Sequence, residues 1–355
     1  RCGECKDEYR DALSIVLLRA RLQAERADGQ DTSFTVDTLA VELQTQGKFD
    51  EAEPLFREAL EVRRETLGDR HLETLRSINN LGTLMSMKGD LAAAQPLLRE
   101  ALEVSRETLG NQHLHTLVSI GNLGTLLQDT GDLAGAEPLL REALEGRRET
   151  LGNRHPDTLG SINNLGELLK SKGDLAAAEP LYREAMAMSR ETLGNRHPHT
   201  LISISNLGLL LQAKGDLAAA ERLHRESLEA KRETLANRHP STLTSINNLG
   251  TLLYAKGDLA AAGPLFREAL EAQRETLGNR HPSTLATISN LGMLLMDKGD
   301  LAAAETLLRE ALEGVRETLG NRHPSTLSSM DNLSQLLEEK GDFAAAKQRE
   351  MDRWT

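Results

Sequence analysis

Seven of the ten histidines recur at a constant interval of 42 residues, so a metal site is the first chemistry to consider. They are His71, His113, His155, His197, His239, His281 and His323. If each lies in a loop between packed helices, equivalent atoms of successive repeats are about 8–10 Å apart. Two ligands of one Zn²⁺ ion, each with a bond of about 2 Å, must lie about 3–4 Å apart. The spacing therefore argues against a shared zinc site and favours a structural role, in which each histidine orders its own loop.

The two cysteines form a single C-x-x-C motif, Cys2-Gly3-Glu4-Cys5. A zinc site needs a second pair of ligands, and none follows. The motif is half of a finger whose other half lies upstream of Arg1, a redox pair, or an incidental pair of thiols. The last interpretation is favoured, so no metal and no cofactor is predicted. Two cysteines also cannot staple 355 residues, which excludes a disulfide scaffold.

The remaining charged residues give no sign of a catalytic site. Arg-Glu dipeptides recur as Arg99-Glu100, Arg141-Glu142, Arg183-Glu184, Arg267-Glu268 and Arg309-Glu310. They indicate either a charged patch or, as favoured here, a solvated outer face of mixed sign. No Ser-His-Asp set, phosphate-binding loop or pair of carboxylates departs from the periodic background. The sequence therefore predicts a protein that is not an enzyme.

The composition argues against two further classes of function. Lys plus Arg is 42 and Asp plus Glu is 54, which gives a formal net charge of -12. A nucleic-acid-binding protein needs a basic face to neutralise phosphates, so no nucleic-acid partner is predicted. The longest apolar run, Ile15 to Leu18, is far shorter than the roughly 20 residues of a membrane-spanning helix. The chain is expected in the cytoplasm, or in an organelle after removal of a targeting segment upstream of Arg1.

The glycines show that one period governs most of the chain. Eight of them recur every 42 residues, at Gly47, Gly89, Gly131, Gly173, Gly215, Gly257, Gly299 and Gly341. Units of the same length begin at Thr32, Thr74, Thr116, Thr158, Thr200, Thr242, Thr284 and Thr326. A fixed period of this kind is typical of a solenoid, in which each repeat packs on its neighbours.

The repeat from residue 116 to residue 157 shows how each unit is expected to fold. Its two helical stripes are Leu117, Ile120, Leu123 and Leu127, then Leu133, Ala136, Leu140, Ala143 and Leu144. The spacing of each stripe predicts an amphipathic helix. Gly131 is suited to end the first helix, and Asp132 is a good N-cap for the second. Gly124 in mid-helix costs about 1 kcal/mol relative to Ala, so we expect it to allow a neighbouring helix to approach closely.

This pattern resembles the tetratricopeptide repeat, in the 42-residue version found in kinesin light chains. The resemblance rests on Leu123-Gly124, on Ala136 and Ala143, and on the strings Asn-Asn-Leu-Gly and Leu-Gly-Asn-Arg-His-Pro. It implies an all-α fold: a right-handed superhelical solenoid of antiparallel helix pairs, with about eight repeats. The Trp and Tyr of the family's first helix are Ile120 and Leu127 here. Kinesin light chains also carry an N-terminal coiled coil, and residues 1–31 contain no heptads, so association with a motor chain is not predicted.

Both ends deviate from the repeat, as expected of caps that cover an apolar face. Residues 1–31 are predicted to form an N-terminal capping helix, in which Leu13 and Leu18 match Leu55 and Leu60 one period later. The tandem repeats then occupy residues 32–346. Polar residues replace the repeat pattern from Lys347 onward, which predicts a C-terminal cap over residues 347–355.

The candidate binding site is a set of seven asparagines at one repeat position, named here the asparagine ladder. They are Asn80, Asn122, Asn164, Asn206, Asn248, Asn290 and Asn332. In the family that the chain resembles, the first helices line a concave groove, and asparagines there hold the backbone of an extended peptide. An amide both donates and accepts hydrogen bonds, which suits a backbone of any sequence. The alternative is that these amides bond the neighbouring repeat of the same chain.

Three further residues belong to the candidate groove: Arg76, Lys170 and Tyr254. Only the first two are basic. Some members of the family hold a C-terminal carboxylate with several clustered basic residues, and the first helices here lack such a cluster. Acidic peptides are therefore not expected as partners.

The sequence predicts a non-catalytic adapter that binds a peptide or helix of a partner protein in the concave groove. The alternative is a structural subunit of a larger multiprotein assembly, which contacts its partners through the convex face, the edges or the ends. A third hypothesis is a sensor or autoregulatory array attached to an enzymatic domain outside this chain.

Overall fold

The computed structural model describes residues 4–29, 32–235, 237–321 and 323–343. Within these ranges all regular secondary structure is α-helical, in sixteen helices. The first of them is α1 (Glu4–Ala27). The first helices of the repeats are α2 (Ser33–Thr45), α4 (Leu72–Met87), α6 (Leu114–Asp129), α8 (Pro156–Ser171), α10 (Pro198–Ala213), α12 (Pro240–Ala255), α14 (Pro282–Asp297) and α16 (Pro324–Glu339). The second helices are α3 (Phe49–Leu67), α5 (Leu91–Leu109), α7 (Leu133–Leu151), α9 (Leu175–Leu193), α11 (Leu217–Thr234), α13 (Leu259–Thr276) and α15 (Leu301–Leu319).

The chain divides into two compact units, Arg1–Leu210 and Leu211–Thr355. In the N-terminal unit each helix from α1 to α9 packs on the next, and α6 also packs on α4 and α8. In the C-terminal unit the same holds from α11 to α16, and α14 also packs on α12 and α16. Within each unit, each repeat thus contacts its neighbours along the chain. This confirms the predicted all-α repeat solenoid; the C-terminal cap predicted over residues 347–355 lies outside the described residues.

The helix ends follow from single residues of the repeat. After α6 the chain turns at Gly131, whose φ of 84° lies in the left-handed region that only glycine adopts at little cost. Asp132 then caps α7, because its Oδ1 accepts a hydrogen bond of 2.9 Å from the backbone N–H of Gly135. Pro156 is the first residue of α8, where its missing N–H leaves no bond unmade. The predicted turn at Gly131 and the predicted cap at Asp132 are confirmed.

The close helix approach predicted at Gly124 is also confirmed. A Cβ atom at this position would lie 2.8 Å from Cδ2 of Leu140 on the second helix, well inside van der Waals contact. The same relation joins Gly82 to Leu98, Gly166 to Tyr182, Gly250 to Phe266 and Gly292 to Leu308. In these five repeats one large side chain of the second helix therefore packs directly on the backbone of the first helix, and the missing side chain of glycine makes the room.

His224 on α11 occupies the repeat position that Phe266 holds one period later. Its side chain is 2 % exposed, and Nε2 has no hydrogen-bond partner in the described part of the chain. Burial, together with the nearby charge of Lys231, lowers the pKa of His224 to about 4. Sequence analysis did not single out this histidine, although it departs from the period of the other seven and falls among apolar residues.

The glycine contact predicts a net loss of stability for Gly124→Ala. The added methyl group overlaps Leu140, and overpacking of this kind costs about 1–3 kcal/mol, more than alanine gains as a helix former. Gly160, in the interior of α8, is the matched control, because a Cβ atom there meets nothing within 4 Å. Gly160→Ala should leave stability unchanged or raise it by up to about 1 kcal/mol. Urea denaturation of both variants measures the difference; equal effects would refute the packing role of Gly124.

His224→Phe should stabilise the protein. A buried nitrogen without a hydrogen-bond partner costs about 1–3 kcal/mol of stability, and phenylalanine removes it. The folded state favours the neutral imidazole, because burial lowers the pKa of His224 from 6.5 to about 4. The wild-type protein should therefore lose stability as the pH falls from 6.5 toward 4, since the unfolded chain binds the proton first. The gain from phenylalanine should therefore grow over this range. The reverse change in the next repeat, Phe266→His, should introduce the same acid sensitivity. Melting temperatures of the three proteins at several pH values test this, and parallel pH profiles would contradict it.

Candidate functional site

The structure places the asparagine ladder at one position of successive first helices. Asn164 is exposed and the other six side chains are half-buried. The N-terminal unit holds Asn80, Asn122, Asn164 and Asn206, and the C-terminal unit holds Asn248, Asn290 and Asn332. We call the surface formed by these positions, with one helical turn to either side on the first helices, the ladder face.

Four amides of the ladder are bonded to the preceding repeat. Their Nδ2 groups donate to a side chain in each case: Asn122 to Oδ1 of Asn79 at 3.3 Å, Asn206 to Oδ1 of Asn163 at 3.4 Å, Asn290 to Oδ1 of Asn247 at 3.2 Å, and Asn332 to Oγ of Ser289 at 3.0 Å. The intramolecular alternative for the ladder therefore applies to these four residues, with a side chain rather than the backbone as acceptor.

The acceptors Asn79 and Asn163 join two repeats from the inside. The Nδ2 group of Asn79 donates both to the carbonyl of Leu75 at 3.2 Å and to Oγ of Ser119, in the next repeat, at 2.7 Å. Asn163 makes the equivalent bond to Oγ of Ser203 at 3.0 Å. Sequence analysis missed this joining role. The signal that could have revealed it is the Asn-Asn doublet, which recurs every 84 residues at 79–80, 163–164 and 247–248.

The remaining three ladder amides are free. In the described part of the chain, the side chains of Asn80, Asn164 and Asn248 make no hydrogen bond with another residue. Each belongs to a repeat with the Asn-Asn doublet, in which the first asparagine bonds to the next repeat and the second has no hydrogen-bond partner among the described residues. Alternate repeats thus keep a donor and an acceptor that a backbone can use.

The other three predicted site residues are engaged by carboxylates of the same chain. Arg76 pairs with Asp37 at 3.0 Å and with Glu73 at 2.8 Å, Lys170 pairs with Glu167 at 2.8 Å, and Tyr254 donates to Oδ2 of Asp297 at 2.6 Å. Burial and the bond to Asp297 raise the pKa of the Tyr254 phenol. The side chains of these three residues are therefore bonded within the chain, whereas the amides of Asn80, Asn164 and Asn248 are not.

Large apolar side chains are exposed on the ladder face of the N-terminal unit. Phe34, Val118 and Ile202 occupy one repeat position, a single turn before the ladder position, and are 67 %, 36 % and 48 % exposed. Val41 lies on the same face in the first repeat and is 43 % exposed. In the C-terminal unit the position of Phe34 holds the smaller Thr244, Ala286 and Ser328. Free amides and exposed apolar groups therefore occur together in the N-terminal unit.

The second helices present a different surface, in which arginines and glutamates of adjacent repeats pair. The pairs are Arg64–Glu100, Arg106–Glu142 and Arg148–Glu184 in the N-terminal unit, and Arg232–Glu268 and Arg274–Glu310 in the C-terminal unit, at 2.5–2.7 Å. Exposed pairs of this kind contribute about 0–1 kcal/mol each. The face is of mixed sign, as the Arg-Glu dipeptides predicted.

The seven repeated histidines cap the first helices. In each, Nδ1 accepts a hydrogen bond of 3.1–3.2 Å from the backbone N–H two residues later. This is the loop-ordering role that the spacing predicted. Within the described residues no three His, Cys, Asp or Glu side chains cluster as metal ligands would, and Cys2 lies outside those residues. Among the helices described here, none is long and apolar enough to cross a membrane.

Comparison with known proteins identifies the repeat. Models of the tetratricopeptide repeat match residues 33–107, 87–149, 112–191, 157–233, 242–283 and 283–351. A solved structure from Podosopora anserina, described as a kinesin light chain with nearly identical TPR-like repeats, is 28 % identical over 58 % of this chain and 98 % of its own, with a TM-score of 0.48. BtubC (BKLC) from P. vanneervenii is 24 % identical over 67 % of this chain and 94 % of its own, with a TM-score of 0.51, and shares the fold. No match was found among curated protein sequences.

The capping role of the histidines predicts that metal is irrelevant to stability. His155→Ala removes an N-cap and should lower the free energy of unfolding by about 0.5–2 kcal/mol. His155→Asn should retain most of it, because asparagine caps equally well. Chelators should leave the melting temperature of the wild-type protein unchanged. Stoichiometric zinc, with a melting temperature that falls on chelation, would contradict this interpretation.

Proposed function

Because the chain belongs to the tetratricopeptide-repeat family, we propose that it is a non-catalytic protein-interaction scaffold that binds a peptide segment or helix of a partner protein on the ladder face of its N-terminal unit. The observation that carries this proposal is the combination, on one face, of unbonded amides at Asn80 and Asn164 with exposed apolar side chains. Either feature alone is common on protein surfaces.

The two kinds of group support binding in different ways. The amides suit the backbone of a partner, since they can donate and accept whatever its sequence. The exposed apolar side chains supply the favourable free energy: complete burial of one such side chain contributes about 1.5–3 kcal/mol. Phe34, the most exposed of those on this face, is the expected anchor at the N-terminal end of the surface.

The second-helix face offers less to a partner. Its arginines and glutamates are paired with each other between repeats, so a partner would have to displace existing ion pairs. The competing hypothesis is a structural subunit of a larger assembly. Such a subunit would contact its partners through the second-helix face, the edges or the ends of the chain.

The division of the ladder into free and bonded amides allows a matched test. Binding peptides are first selected by the wild-type chain from a random 12-residue peptide library. The double variant Asn80→Ala/Asn164→Ala should bind them more weakly, by about 0.5–1.5 kcal/mol for each lost hydrogen bond, with an unchanged melting temperature. The control Asn122→Ala/Asn206→Ala removes bonds between repeats and should lower the melting temperature instead. Fluorescence polarisation and thermal denaturation measure both properties on both variants.

Two results would refute the proposal. One is unchanged affinity of the selected peptides for Asn80→Ala/Asn164→Ala. The other is selection of peptides whose binding is abolished by charge reversal at Glu100 and Glu142 on the second helices. Either result would show that the partner binds a surface other than the ladder face.

A further inference from the structure

The first repeats contain a buried carboxylate held by two arginines. Arg63 on α3 is 5 % exposed, and its Nη2 donates to Oδ2 of Asp37 on α2 at 2.5 Å. Its Nη1 donates to Oγ of Ser77 at 2.5 Å. Arg76, on the ladder face, donates to the same oxygen of Asp37 at 3.0 Å. The Asp37 carboxylate on α2 is therefore bound both by an arginine of the second helix α3 and by an arginine of the next first helix, α4.

The same place two repeats later lacks its acid. Arg147 occupies the position of Arg63, and its Nη1 donates to Oγ of Ser161 at 2.5 Å, as Arg63 does to Ser77. Gly121 replaces Asp37, and Gly160 replaces Arg76. Within the described residues no carboxylate lies within 4.0 Å of the Arg147 guanidinium, and the charge of Asp157, at the position of Glu73, acts on it from farther away. Its second contact is a long one, from Nη2 to the carbonyl of Leu117 at 3.5 Å.

The two glycines stand where the first copy has the Asp37 and Arg76 side chains, so neither of those side chains is present beside this guanidinium. A Cβ atom at Gly121 would lie 3.7 Å from Nη2 of Arg147, so the guanidinium faces the place where the side chain of Asp37 begins in the first copy. A Cβ atom at Gly160, one turn before Asn164, would meet nothing within 4 Å. Nε of Arg147 bonds to no described residue and is not sealed from solvent. The cation is half-buried, and its remaining donors are available.

We propose that Arg147 binds a carboxylate of the partner protein, which occupies the place that Asp37 fills beside Arg63. This inference rests on the proposed function, because the carboxylate arrives on a segment bound to the ladder face beside Asn164. A guanidinium suits the task, since its planar set of N–H donors matches the two oxygens of a carboxylate. The sequence predicted no acidic partners because the first helices lack a cluster of basic residues. Arg147 lies on a second helix, α7.

The first test uses sodium acetate as the probe and the full ¹⁵N-labelled chain. The Nε–H signal of Arg147 is assigned by its loss in Arg147→Lys and followed against acetate, with sodium chloride of equal ionic strength as reference. We expect a saturable shift of this signal with acetate only. The signal of Arg63 is the internal control and should not move, because Asp37 already fills its site. No acetate-specific shift at Arg147, or equal shifts of all arginines, would overturn the proposal.

Substitution of Gly121 gives a second measurement that needs no ligand. Gly121→Asp places a carboxylate as Asp37 does, and Gly121→Asn adds a side chain of the same size without charge. The aspartate variant should melt at a higher temperature than the asparagine variant, and its Arg147 signal should no longer respond to acetate. Equal melting temperatures together with a retained acetate response would show that the space beside Arg147 is not a carboxylate site.

The peptides selected from the random library separate this inference from the proposed function. Among them, we expect Asp or Glu at one fixed position, or a free C-terminal carboxylate, and amidated peptides distinguish the two sources. Removal of that charge should weaken binding about tenfold or more in the wild type and have little further effect in Arg147→Gln. Peptides that depend on Asn80 and Asn164 but not on Arg147 would overturn this inference and leave the proposed function standing. Peptides indifferent to all three would overturn both.

Discussion

The contact between a glycine of the first helix and one large side chain of the second helix, which recurs in five repeats, is the constraint on which the structure depends. At Gly124 there is no room for even a methyl group beside Leu140. Because this contact recurs in register, the repeats keep one length from Thr32 to Thr326 without insertion. Equivalent residues of successive first helices therefore come side by side within each unit, and the asparagines of that unit share one face.

Several side-chain interactions recur every two repeats rather than every repeat. Basic residues recur every 84 residues at Arg63, Arg147 and Lys231, of which the first and last are buried and Arg147 is half-buried. The smaller Ser105 and Ser189 lie between them. Lys231 is 7 % exposed, and burial lowers its pKa to about 8. The pairs Lys88–Glu53, Lys172–Glu137, Lys256–Glu221 and Lys340–Glu305 follow the same double period. From Asn80 to Asn290, one repeat of a pair bonds to its neighbour through its ladder amide, while the other leaves that amide open. Repeats that look alike in sequence therefore differ in what they can bind.

The features that sequence predicts well are those decided within one repeat. The turn at Gly131, the cap at Asp132 and the loop histidines depend on residues only a few positions apart, and the period multiplies the signal. Bonds between repeats depend on the relative placement of residues about 43 apart. The bonded Asn122 and the free Asn80 differ locally only in the residue before them, Gly121 and Asn79, and that difference does not by itself reveal which amide is bonded. Arg147 is harder still, because its availability comes from side chains that are absent, at Gly121 and Gly160. The burial of His224 was also missed, since a lone polar residue in an apolar stripe does not reveal its neighbours.

The central claim is that alternate repeats of the N-terminal unit leave their ladder amides open to a partner backbone. A crystal structure of the full chain with the tightest peptide from the random library tests it most directly. The account predicts that the peptide lies along the ladder face, with its backbone within hydrogen-bond distance of the Asn80 and Asn164 amides, while Asn122 and Asn206 keep their bonds to Asn79 and Asn163. A peptide seated on the second helices or at an end of the chain, with both free amides still unbonded, would contradict it.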